Sequence, residues 1–134
     1  MVGLWILLSV IISLLLSKIL KLFFFKNTSE ALLAGGGMPS SHCASATALT
    51  SMIFFTEGLT SLFVLSFSFA AVVLVDAVRV RRAVGVNADA LKELAPKKVE
   101  DDIMVEHGHT IKEAVYGCVL GFVVATILFI LFVA

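Results

Sequence analysis

Residues 114–134, AVYGCVLGFVVATILFILFVA, decide the fold. Not one side chain in this run is charged. A helix rises about 1.5 Å per residue, so such a run crosses the ~30 Å hydrocarbon core of a bilayer. A helix on the surface of a soluble domain would instead carry charge on its outward face. Residues 1–17 read the same way and also hold no charge. The whole chain of 134 residues is 60% hydrophobic with a mean hydropathy of +1.07, and only 15% of it is charged. A soluble domain carries about 25% charged residues. These figures exclude an ordinary soluble domain and predict a single, small, all-helical integral membrane domain. Net charge is zero, so nothing in the charge balance calls for a nucleic-acid partner.

Four membrane helices are expected, at about 2–25, 40–56, 59–82 and 110–132. The first has no basic region before it and no small-residue cleavage site after it, so it reads as a retained helix. The second is rich in Ser, Thr and Ala and should face other helices more than lipid. Glu57-Gly58 makes the turn into the third. A polar insertion follows at about 85–108. It should hold a short helix near 87–94 that Pro96 halts. Its acidic Glu100-Asp101-Asp102 reads as a solvated surface. Gly117-x-x-x-Gly121 in the fourth helix offers a smooth face, expected to pack on the second helix in preference to a second copy of the chain. Homo-oligomerisation stays open. Cys43 and Cys118 read as small buried thiols, with no disulfide framework.

All ten Lys and Arg fall between Lys18 and Lys112. With four spans, every one of them lies on the same side of the membrane. The positive-inside rule makes that side the cytoplasm and puts both termini outside. Trp5 then reads as an anchor at the outer interface, and Lys18 and Lys112 as snorkelling side chains.

Polar side chains collect at the cytoplasmic ends of the helices. Lys21 ends the first, and Gly35-Gly36-Gly37-Met38-Pro39-Ser40-Ser41-His42 leads into the second. Arg81 and Arg82 follow the third, and His109 opens the fourth. Glycines followed by Pro and Ser start a helix whose N-terminal amides attract anions. Residues four apart on a helix share a face, so Glu113 can hold one nitrogen of His109 and leave the other free to attack. Ionisable groups at membrane depth are costly and usually mark function. Cations, two imidazoles and a carboxylate together form a kit for phosphoryl transfer through a histidine nucleophile.

Three blocks also carry a resemblance. Gly36-Gly37-Met38-Pro39-Ser40-Ser41-His42 resembles the second signature of the type 2 phosphatidic acid phosphatase and vanadium haloperoxidase-related superfamily. Ser41, in place of the usual glycine, is similar to its divergent branch of small membrane proteins. Asp76-Ala77 with Val80-Arg81-Arg82-Ala83-Val84-Gly85 is similar to that branch's second block. His109-x-x-x-Glu113-x-x-x-Gly117 resembles the third signature, with Glu for Asp, and Lys21 matches the lysine of the first. The resemblance implies a metal-independent lipid phosphate or lipid diphosphate phosphatase that needs no cofactor. His109 would form a phosphohistidine, Glu113 would orient it, and His42 would protonate the leaving oxygen. Lys21, Ser40, Ser41, Arg81 and Arg82 would hold the phosphate. The implied partners are a lipid phosphate in the bilayer and the membrane lipids themselves. Lys26 would take a further cationic role. His107 reads as a loop residue, and Asp76 as a structural ion-pair partner of the arginine cluster.

Overall fold

A computed structural model describes residues 2–24, 37–94 and 108–133. Every regular element among them is helical. Helix α1 spans Val2–Phe24, α2 Ser41–Glu57 and α3 Ser61–Val75. A π-helical turn, Asp76–Val80, joins α3 to α4, Arg81–Leu94. Helix α5 spans Ile111–Phe132. The expected roles of Lys26, Pro96, Glu100-Asp101-Asp102 and His107 lie outside the described residues, as do Gly35 and Gly36.

Three helices are long and apolar enough to cross a membrane: Val2–Phe23, Ser61–Leu94 and Ile111–Phe132. Helix α2 is shorter, at 17 residues, and is the central element. It packs against α1, α3 and α5. Its sequence explains why. Cys43, Ala44, Ala46, Ala48, Met52 and Ile53 are buried, and small side chains let three neighbours approach one axis. Lipid-facing Leu, Val, Ile and Phe sit instead on α1, α3 and α5.

The contacts with α5 are closest. A Cβ on Gly121 would collide with the carbonyl oxygen of Ala44, and one on Gly117 with that of Ser40. The Gly117-x-x-x-Gly121 face therefore packs on α2, as its spacing predicts. Helix α1, which packs on both α2 and α5, offers Ser9, Ser13 and Ser17, all fully buried. Each hydroxyl donates to the carbonyl three residues earlier, so no polar hydrogen is stranded. Across the α2–α3 seam, the Thr50 hydroxyl reaches the Ser66 carbonyl at 3.1 Å.

The third helix runs further than its hydropathy implies. It passes through the π-turn into α4 as one rod of 34 residues, Ser61–Leu94. The short helix expected near 87–94 is the end of this rod. Such a rod is about 50 Å long and must project past a ~30 Å hydrocarbon core. Gly58, at φ 74°, and the Thr60 cap make the turn between α2 and α3, where Glu57-Gly58 predicts it. At this same end Trp5 of α1 stacks on Phe132 of α5, with ring centroids 4.9 Å apart. Lys21 and His109 therefore meet at the other end.

Candidate active site

The site assembles where α1 ends, α2 begins, α3 meets α4, and α5 begins. Gly37 takes φ 89°, a conformation L side chains avoid, and turns the chain into the α2 start. Ser40 caps α2, its hydroxyl accepting from the Cys43 amide at 3.4 Å. The first N–H groups of a helix lack intrahelical acceptors and carry partial positive charge, so this start favours an anion. Ser40 and Ser41 are buried, whereas His42 is exposed on the first turn.

Two backbone hydrogen bonds fix these elements to each other. The Ser40 amide donates to the Glu113 carbonyl at 3.1 Å, which locks the α2 start onto α5. The His109 amide donates to the Ala77 carbonyl at 2.9 Å, which locks the α5 start onto the π-turn. A π-turn adds one residue to a helix and shifts its carbonyls out of register. Gly108 makes the second contact close: a Cβ there would lie 2.5 Å from the Arg82 nitrogen and 2.8 Å from the Ala77 oxygen.

His109 is 1% exposed, and neither of its ring nitrogens has a hydrogen-bond partner among the described residues. Leaving a buried polar group unpaired costs about 1–3 kcal/mol. Its Nδ1 lies 3.7 Å from Glu113 Oε2, close but outside hydrogen-bond range. That carboxylate accepts from the Thr110 amide at 2.7 Å, while the Thr110 hydroxyl accepts from the Glu113 amide. Glu113 thus closes a capping box on α5 and sits beside the imidazole at once. Burial pushes the His109 pKa below its ordinary value. The positive charge of Lys21 pushes the same way, Glu113 opposes it, and His42 and Arg81 add smaller downward effects.

The same neighbours surround His42, which lies in the field of Arg81, Lys21, Asp76 and Lys18. Lys21 is 3% exposed and completes the α1 stripe one step beyond Ser17. Arg81 Nε donates to Asp76 Oδ2 at 2.7 Å. Asp76 is thus the ion-pair partner its position implied, and the remaining guanidinium N–H groups keep their donor capacity. The fold brings Lys21, Ser40, Ser41, His42, Arg81, His109 and Glu113 to one end of the bundle. Arg82 differs: its side chain is exposed.

Sequence reasoning missed two contributors, the α1 serine stripe and the Thr110 cap, and the π-turn that sets the Asp76–Arg81 pair it expected. Ser9, Ser13, Ser17 and Lys21 recur at every fourth residue, a spacing that places all four on one helix face. Asp76 and Arg81 are five apart, which suits a π-turn better than an α-helix. Thr110 precedes Glu113 by three, the spacing of a capping box. Among the described residues, no group of three or more His, Cys, Asp or Glu is placed to hold a metal ion.

The family model described as the Divergent PAP2 family matches residues 4–124. The chain belongs to the divergent PAP2 family. A relative, the uncharacterized membrane protein YuiD of Bacillus subtilis (strain 168), is 45% identical over 60 residues. That match covers 44% of this chain and 38% of YuiD, well under half of the relative's length. No solved structure matches the chain. An integral membrane protein of divergent PAP2 type, with a polar cluster at one end of its helices, is what the fold and these comparisons jointly establish.

Proposed function

We propose that this family member hydrolyses a lipid phosphate or lipid diphosphate through a phosphohistidine. One observation carries the reading: a fully buried imidazole, unpaired at both nitrogens, faces two cations and a second histidine. A phosphoryl group beside the ring would offer the Nε2 lone pair an electrophilic phosphorus. With Nδ1 turned toward Glu113, Nε2 is the attacking atom. Its lone pair forms the N–P bond as the P–O ester bond breaks, and His42 gives its proton to the leaving oxygen. Water then attacks phosphorus, His42 takes its proton, and the N–P bond breaks to release phosphate and restore His109. Lys21, Arg81 and the α2 amides stabilise charge on the equatorial oxygens. Ser40 and Ser41 shape that cradle, and Arg82 steers anions from outside it. No metal enters these steps.

In this reading α2 also lies within the bilayer, which makes a four-helix membrane bundle with its site at the cytoplasmic face. The test is phosphate release from a panel of lipid phosphates by wild type, His42→Ala and His109→Ala, with and without EDTA. Release by wild type that survives EDTA and is lost in both variants is expected. No release above the variants for any substrate would sink the enzyme reading.

One observation favours a second reading, a phosphate-binding module without turnover. Glu113 is held by its cap and stops 3.7 Å short of firm contact with His109. Phosphate binding that persists without product release would select this reading.

A further inference from the structure

A cavity of about 600 Å³ lies between α2, α3 and α5, and its exposed lining is almost wholly apolar. Its upper end is formed by Thr47, Leu74 and Cys118. Leu74 and Cys118 also pack on the buried cluster of Cys43, Ala77 and Ala114, which directly underlies the site. From there it runs along the helices to Phe55 and Phe63. Thr47 to Phe55 on α2 is a descent of about 12 Å, and Leu74 to Phe63 on α3 about 16 Å. One leaflet of hydrocarbon is about 15 Å deep. Phe54 and Phe67 on its rim are 44% and 59% exposed, so the groove opens sideways, toward lipid. Of the three hydroxyl side chains in its wall, Thr47, Thr50 and Ser51, that of Thr50 is turned to backbone carbonyls.

We propose that this groove seats the hydrocarbon chain of a single-chain lipid phosphate while its head occupies the imidazole cluster. The proposal rests on the functional reading above and adds the class of lipid. A methylene takes roughly the room of a water, ~30 Å³, so the cavity holds about twenty carbons. One chain that reaches the bilayer midplane, about 15 Å down, uses about twelve carbons. Two such chains need about 24, more than the cavity holds. Volume, length and position directly beneath the site therefore select one chain over two.

The test uses the full chain in nanodiscs with four esters: a prenyl monophosphate, lysophosphatidic acid, phosphatidic acid and p-nitrophenyl phosphate. KM for the two single-chain lipids should lie at least about tenfold below that for phosphatidic acid. Ala71→Phe, which fills the groove from an exposed position, should raise the single-chain KM by about tenfold and leave p-nitrophenyl phosphate unchanged. The ratio between the prenyl and acyl arms tells which chain fits better. Equal KM for one and two chains, or an indifferent Ala71→Phe, overturns the proposal even if phosphate is released. If no ester is hydrolysed, the enzyme reading fails and the groove is judged by binding alone. An alkyl phosphate with a diazirine at the chain end should then label the wild type near Phe55 or Phe63. Label scattered over the lipid-facing surface, or a Phe54→Cys variant that crosslinks two copies of the chain, overturns it.

Discussion

His109 concentrates the chemistry into one residue. Burial and the Lys21 charge hold its pKa below 6.5, and Glu113 offsets this only in part. The unfolded chain, with an ordinary imidazole, binds more protons than the folded one through that interval. Stability therefore rises with pH there: it is fully present above about pH 6.5 and is lost as pH falls through the lowered folded value. Thermal unfolding of the detergent-solubilised protein should show a melting temperature that drops on acidification below pH 6.5. His109→Gln should flatten that slope, and an unchanged slope would refute the assignment. In the proposed reaction the same shift favours the neutral, nucleophilic imidazole at neutral pH. Glu113 serves the residue in two ways that substitution can separate. Glu113→Gln keeps a capping side chain but removes the charge beside Nδ1. Its stability should stay within about 1 kcal/mol of wild type. Phosphate release should fall by about tenfold or more if the carboxylate orients His109. Equal rates for the two proteins would leave Glu113 as a cap alone.

Helix-scale order comes from small residues and one irregular turn. Gly121 touches backbone, not a flexible side chain, so Gly121→Ala forces α5 away from Ala44. Overpacking of this kind costs about 1–3 kcal/mol. It should lower resistance to denaturing detergent, whereas Gly3→Ala, with open space around it, should not. The π-turn can be tested by deletion. Removing Val78 takes out the residue the π-turn adds and returns the rod to regular α-helical register, with Arg81 four residues from Asp76 and still on its face. The Ala77 carbonyl would then pair within the helix and lose the His109 amide. Helical content by circular dichroism should be retained while phosphate release is lost; full activity would show the turn to be incidental. Much of this level was legible in the sequence. Gly117 and Gly121, Ser40, and the Glu57-Gly58 turn declare themselves through spacing and residue type. Two features were not. The continuous rod to Leu94 hides because α4 turns polar while staying helical, and hydropathy reports polarity, not helicity. The carbonyl of Ala77 hides because backbone register leaves no trace in side-chain identity.

The whole molecule is polarised from end to end. Lys18, Lys21, Arg79, Arg81, Arg82, Lys92 and Lys112 lie at or beyond the site end of the helices, and Glu57 lies at the turn on the opposite end. The polar cluster was legible because charged side chains are rare in this chain, so their positions at helix ends stand out against 60% hydrophobic sequence. The groove beneath it was not, since Phe54, Phe63 and Phe67 look like any lipid-facing aromatic until helix packing sets them around one space. Polarity of charge also carries the orientation. Short loops rich in Lys and Arg stay on the cytoplasmic side, and Glu contributes little to that bias. Helix α4 continues from α3 beyond the site and is amphipathic, with Asp89 and Glu93 exposed, so in the proposed orientation it projects into water on the cytoplasmic side. Glu93→Cys should therefore resist a membrane-impermeant maleimide in intact cells and react once the membrane is permeabilised. Leu59→Cys, in the opposite turn, should react in both. Wild type supplies the baseline, because Cys43 is buried and Cys118 sits within the bundle. Labelling of Glu93→Cys in intact cells would invert the orientation and place the imidazole cluster on the outer face. The proposed substrate would then come from the outer leaflet.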